Sequence, residues 1–259
     1  MIAALPMYDF PWTVEANDAF WAEMRDRLRA AGIAAPNTLT HGVALPEIWR
    51  SRELLFGQTC GYPYWTGLRD TVEILAAPIY NFPGCEGPTH CSFLVVRADD
   101  PRETLAAFRN ARAAANSHDS NSGMNLFRAT VAPLADGRPF FAGVTLTGAH
   151  AASLAAVADG AADIAAIDCV SFALLQQGRP SMTAKVRVLG RTPSSPALPF
   201  IASRAIPPKT LAALRAALTE AADQPTLGLR GVAFPPAETY ARVAELEHDA
   251  AALGYPTLA

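Results

Sequence analysis

Asn116-Ser117-His118-Asp119-Ser120-Asn121-Ser122-Gly123-Met124-Asn125 follows the apolar run Ala113-Ala114-Ala115, and a counterpart, Phe56-Gly57-Gln58-Thr59-Cys60-Gly61-Tyr62, follows Leu54-Leu55. Each stretch runs from a buried-strand pattern into a segment that can be helical, so each reads as a strand-to-helix corner. Such a corner leaves backbone N–H groups without intrahelical acceptors at the positive end of the helix dipole. Ser, Thr, Asn and Gln side chains beside them add further donors. This is chemistry for holding an anion. The plainer reading makes Ser120, Ser122 and Thr59 helix N-caps, but two such corners, one in each half of the chain, favour a ligand site.

Working outward, the rest of the chain alternates strands and helices. Ile2 to Met7 reads as a first strand and Thr13 to Ala31 as a helix, with Phe20, Met24 and Leu28 at helical spacing and Gly32 as its stop. Strands are expected at His41–Val43, Leu54–Phe56, Val72–Tyr80, Cys91–Arg97, Gly143–Gly148 and Ala162–Ser171. Helices are expected at Pro101–Asn110, Ser122–Leu134, His150–Asp159 and from Pro207, the last with Leu211, Leu214 and Leu218 as its buried stripe. Val186–Leu189 and Pro199–Ser203 read as a strand pair, and Glu238–Leu253 as a terminal helix on the first half. The order predicts an α/β fold with a largely parallel sheet. Asp168, at the C-terminal end of its strand, stands where open α/β sheets place ligands, and it is equally placed to cap the helix after it.

Composition bounds the function. The chain has 259 residues, 51% hydrophobic and 17% charged, which is the profile of a folded protein with a substantial core. A net charge of −3 gives no general attraction to nucleic acid or anionic membrane, so anion binding must come from local geometry. No apolar run approaches the roughly 20 residues of a membrane-spanning helix. Met1 to Leu5 lacks the basic-then-apolar pattern of a secretory signal, so the sequence as written reads as cytoplasmic. Cys60, Cys85, Cys91 and Cys169 show no C-x-x-C spacing; Cys85 and Cys91 are close enough for a small-loop disulfide, and buried thiols are the default. Cys60 stands at a helix N-terminus, a position that can activate a thiol. His118 beside Asp119 reads as a solvated loop, His41 as a surface residue. No metal-ligand spacing and no G-x-S-x-G elbow occurs, so neither a cofactor nor a metal nor a catalytic residue is assigned.

The corner Phe56–Tyr62, the Ser120-Asn121-Ser122-Gly123 run, Thr147-Gly148-Ala149-His150 and Ala161-Ala162-Asp163-Ile164-Ala165-Ala166-Ile167-Asp168, in that order, resemble the phosphate, phosphite and phosphonate ABC-transporter solute-binding proteins. The resemblance implies a two-lobed type II periplasmic-binding-protein fold with the ligand cleft between the lobes. It places residues 1–97 plus 186–259 in the first lobe and 98–185 in the second. It further implies that Ser120, Asn121 and Ser122 hold phosphoryl oxygens, that His150 adds a donor, and that Asp168 faces an amine on the ligand. Tyr8, Gln58, Thr59 and Tyr62 are the best-placed residues of the first lobe. Two departures stand out: Asn121 occupies a position where a small hydroxyl is common, and Thr89-His90-Cys91 opens the crossing strand where relatives often bring an aromatic residue.

The expected function is a non-enzymatic solute-binding protein that closes on a small oxyanion, of phosphonate or phosphate type. Its partners are that ligand and an ABC permease, with no nucleic acid and no membrane insertion, and the family role implies a periplasmic location. The alternative is a cytosolic sensor or an enzyme on the same scaffold, using Cys60 or His150.

Overall fold

Phe20, Trp21, Phe56 and Phe200 come from distant parts of the chain and stack in one core, with ring centroids 5.4 to 6.2 Å apart. In the computed structural model, which describes residues 1–258, this cluster marks the first of two units. The first comprises Met1–Asn81, Glu86–Pro88 and Pro196–Thr239; the second comprises Phe82–Cys85, Thr89–Ser195 and Tyr240 onward.

The first unit is built on a five-stranded sheet in the order Ile2–Ala4, Leu54–Gln58, Phe200–Ser203, Val72–Tyr80, Leu229–Ala233. Ile2–Ala4 pairs parallel with Leu54–Gln58, and the later strands join antiparallel. Leu54–Gln58 is buried at every position, as expected of a central strand covered on both faces. Gly57 keeps the packing close there: a Cβ would come within 3.1 Å of the Leu54 side chain, which would have to give by a few tenths of an ångström. Helix Val14–Ala30 packs against helix Pro208–Ala221 and delivers Phe20, Trp21, Met24 and Leu28 to the core.

The second unit repeats the architecture with the strand order Gly143–Leu146, Arg112–Ala115, Ile164–Asp168, Ser92–Arg97, Val186–Arg191. The first three are parallel; Ser92–Arg97 runs antiparallel to both its neighbours. The apolar faces of Leu94, Val96, Ala113, Ala115, Ile164 and Ala166 pack on Phe127, Val131, Phe140 and Phe141.

Several expectations need correction. The sheets are mixed rather than largely parallel, because each takes in strands from chain segments that return from the other unit. The unit boundaries differ from 97/98 and 185/186: Ser92–Arg97 and Val186–Arg191 are hydrogen-bonded members of the second sheet and not links to it. Val186–Arg191 and Phe200–Ser203 therefore do not pair. The C-terminal helix Arg242–Ala252 belongs to the second unit, where it packs on helix Leu126–Ala135 with Val243, Leu246 and Ala250 buried. Pro101–Asn110 is helical only as a turn at Leu105–Phe108; Asp100 takes the Arg102 backbone N–H and guanidinium, and that guanidinium lies 3.9 Å from the Phe108 ring. His41–Val43 is not a strand, since Gly42 takes φ +70° and His41 turns between two carboxylates. The strand Leu229–Ala233 went unread because Arg230 and Gly231 interrupt its apolar pattern.

Candidate functional site

Ser120 ends the loop after strand Arg112–Ala115 in an extended conformation, and its Oγ accepts the Gly123 N–H at 3.0 Å, the bond of an N-cap. The next turn, Asn121–Asn125, is wider than an α-turn: Asn125 N–H reaches the Ser120 carbonyl at 3.1 Å, and Leu126 N–H bonds to the Asn121 carbonyl. Such π-type turns often occur at functional sites. Helix Leu126–Ala135 continues from it, so the corner lies at the positive end of a helix dipole.

Neighbouring side chains hold this turn from all sides. Asn121 Nδ2 donates to Ser195 Oγ at 2.8 Å, and Ser92 Oγ donates to the Ser122 carbonyl at 2.9 Å. Asn125 Nδ2 donates to Asn121 Oδ1 and to the Val243 carbonyl. Gly123 has no room for a side chain: a Cβ would fall 1.9 Å from Asn116 Oδ1 and 3.1 Å from His150 Cε1. That Asn116 oxygen is itself buried without a hydrogen bond.

Ser122 Oγ and His150 Nε2 are 2.8 Å apart. Burial, reinforced by the nearby charge of His90 and opposed by Asp168 and the Ala166 carbonyl, holds the His150 imidazole below its usual pKa, so it is neutral near pH 7. Its Nδ1 is shut off from solvent and makes no hydrogen bond of good geometry.

Asp168 does two jobs. Oδ1 accepts the Ser171 N–H at 2.8 Å, capping helix Cys169–Gly178, while Oδ2 meets His90 Nδ1 at 2.6 Å. Both side chains are sealed, at 2% and 1% exposed. Burial raises the carboxyl pKa, but the hydrogen bond to His90, the neighbouring imidazoles and the Ser171 N–H outweigh it, so the net shift is downward. His90 Nε2 points into the protein with no partner. His90 stands out in the sequence only as part of the departure at Thr89-His90-Cys91 and not as a site residue. Ser92 and Ser195 were missed as well, because their roles exist only through contacts far along the chain.

The second unit thus brings Ser120, Asn121, Ser122, His150 and Asp168 to neighbouring strand ends and helix starts. His118 and Asp119 are exposed. In the first unit, Gln58 Nε2 donates to the Leu198 carbonyl at 3.1 Å and to Tyr80 Oη at 3.3 Å, and Tyr8 packs edge-on to Tyr80. Thr59 is fully buried with its hydroxyl directed to the Cys60 carbonyl, and it caps no helix; Tyr62 is partly exposed. No cluster of His, Cys, Asp and Glu among the described residues could hold a metal ion, and no helix among them is long and apolar enough to cross a membrane.

Two units of mixed sheet, each with helix starts at its strand ends, define the two-lobed type II periplasmic-binding-protein fold, and solved structures share it. A binding-protein component of an ABC phosphonate transporter from Pseudomonas aeruginosa matches with a TM-score of 0.76 at 13% identity, covering 98% of this chain and 87% of that one. PhnD1 from Prochlorococcus marinus, solved with methylphosphonate, matches at 0.72 and 14% identity over 95% and 97%. XAC2383 from Xanthomonas citri, solved with chloride, matches at 0.69 and 17% over 97% and 98%. No curated protein sequence matches the chain. The model of the ABC-transporter phosphonate periplasmic substrate-binding proteins matches residues 6–233, and the chain belongs to that family. It is a family of substrate-binding proteins, which implies a small ligand and a permease partner.

Proposed function

We propose that the chain is the receptor for a phosphonate-type oxyanion without a cationic substituent, held at the Ser120–Gly123 corner and passed to an ABC permease. The observation that carries this reading is the Ser120-capped turn with Ser122 bonded to a neutral His150. A tetrahedral oxyanion gains from backbone N–H groups at a helix start, and the Ser122 hydroxyl, paired with a neutral His150, stands beside them as a further hydrogen-bonding group.

The same geometry supports binding over catalysis. A serine nucleophile needs a histidine oriented by a carboxylate; here Ser122 meets His150 while Asp168 is bonded to His90, so the three roles are divided between two imidazoles. Cys60, the other candidate reactive group, is buried.

Asp168 bears on the substituent. The family resemblance implies that it faces a ligand amine, yet both of its oxygens are already bonded within the protein. An ammonium group would have to displace His90 from a buried pair, so uncharged alkyl substituents are favoured.

Isothermal titration with methylphosphonate, 2-aminoethylphosphonate, phosphate and sulfate tests the reading. Methylphosphonate should bind at least about tenfold more tightly than the aminoalkyl compound. Ser122→Asp should abolish binding by like-charge repulsion, and Ser122→Ala should weaken it by about tenfold, the worth of one hydrogen bond to a charged group. Absence of binding by every phosphorus compound, or preference for the amine, would overturn it.

A further inference from the structure

Three of the four cysteines meet in the second unit. Cys85 Sγ lies 3.5 Å from Cys169 Sγ, and the Cys91 thiol also bonds to Cys169. The arrangement is built rather than incidental. Cys91 N–H bonds to the Gly84 carbonyl at 3.2 Å, and Cys169 N–H to the Cys91 carbonyl at 3.1 Å, so turn, strand and helix start are laced together at this point. Gly84, at φ +90°, lets the turn lie directly on the sulfurs: a Cβ there would come 2.9 Å from Cys169 Cβ and 3.0 Å from Cys91 Sγ. Cys91 and Cys169 are buried, while Cys85 is partly exposed.

We propose that Cys85 and Cys169 form a disulfide site, closed by exchange with a small-molecule disulfide, and that Cys91 remains a thiol beside it. The pair nearest in sequence, Cys85 and Cys91, is not the one whose sulfurs are brought into contact through the only accessible thiol of the three. Cys85, as thiolate, attacks one sulfur of glutathione disulfide, and one glutathione thiolate leaves. Cys169, whose bond to Cys85 and burial hold it protonated until Cys85 is capped, then loses its proton, attacks Cys85 Sγ of the mixed disulfide and expels the second. Two protein thiols are oxidised, one glutathione disulfide is reduced to two thiols, and the two protons pass to those thiols through water. The bridge pins the Phe82–Cys85 turn to the first residue of helix Cys169–Gly178, immediately after Asp168. It closes a long loop, where constraint of the unfolded chain is strongest, and the periplasm named by the family is a compartment in which disulfides persist.

The test uses the folded full chain, incubated with excess glutathione disulfide, blocked with N-ethylmaleimide and digested without reductant. Trypsin together with a glutamyl endopeptidase separates the cysteines, because cleavage after Glu86 falls between Cys85 and Cys91. The expected product is the peptide ending at Glu86 linked to the peptide carrying Cys169, with Cys60 and Cys91 alkylated. The melting temperature should rise by about 5 °C or more, reversibly with dithiothreitol. Cys85→Ser should lose the shift. Gly84→Ala, which keeps every thiol but crowds the turn off Cys169, should lose the linkage. Linkage of Cys85 to Cys91 or of Cys91 to Cys169, a lone glutathione adduct on Cys85, or no loss of thiols would each overturn the proposal.

Discussion

Asp168 and His90 form a 2.6 Å contact at a site closed to water on both sides. One carboxylate thereby serves a helix cap, a buried bond to an imidazole and the edge of the candidate site together.

Replacing His90 with Phe should leave Asp168 buried without its partner. The expected cost is about 3–5 kcal/mol of unfolding free energy near pH 7, since a stranded buried charge is expensive. The cost should shrink near pH 5, where the orphaned carboxyl of the variant takes up a proton more readily. Urea denaturation at the two pH values measures it, and titration with 2-aminoethylphosphonate should show improved binding as Asp168 becomes available. Equal stability of variant and wild type would show that the pair contributes nothing.

Gly123→Ala should disrupt the corner locally. Its Cβ would overlap Asn116 Oδ1 at 1.9 Å, so either the asparagine or the turn must move. A loss of about 1–3 kcal/mol is expected from overpacking, together with loss of oxyanion binding. Calorimetric melting and ligand titration on the same sample check both effects.

His150 should make the second unit acid-sensitive. Burial lowers its pKa from the usual 6.5, so in the range just below 6.5 the unfolded chain binds the extra proton and the folded chain does not. Stability from this group is therefore present above pH 6.5 and is lost as pH falls toward the folded pKa. Between pH 7.5 and 5.5, wild type should lose more stability than His150→Asn in urea melts. Asp168, which opposes the shift, and His90, which adds to it, face the same ring.

His41 has the opposite sign. Its Nδ1 lies 2.6 Å from Asp9 and its Nε2 3.1 Å from Asp18, and the Asp9 hydrogen bond leads in raising its pKa above 6.5, against some burial and with Asp18 assisting. Its contribution is complete below pH 6.5 and disappears as pH rises through the raised value. Because a third of the side chain meets solvent, screening keeps the stability effect small. An NMR titration of the His41 Cε1 proton should place its midpoint above 6.5, and Asp9→Asn should bring it down.

The sequence carried the corners well. Ser120 before a helical pattern, Gly123 within the turn and Asp168 at a strand end all signal through local backbone chemistry, and the structure uses each for capping or close approach. What stayed hidden depends on distance along the chain. His90 gains its role only because Ser92–Arg97 pairs with Ile164–Asp168, putting Ser92 opposite Asp168. Sheet membership was misjudged for a related reason: a buried apolar strand such as Ser92–Arg97 reads the same whether it connects two sheets or sits inside one. Thr59 looked like a second Ser120, but the helical segment after it starts at Gly61 with Cys60 in the cap position, so its hydroxyl stands one residue too early to cap it.

The tail after Thr239 supplies the second unit with Val243, whose carbonyl receives Asn125, and with Ala250, Tyr255 and Leu258 for its core. The first unit likewise waits for its edge strand Leu229–Ala233. During synthesis, then, the first unit waits for Leu229–Ala233 and the second for Val243 before either is complete. The turn at Ser120–Gly123 gains its last brace only once Val243 has been made, so a chain released before that point would carry the turn without the means to hold it in shape.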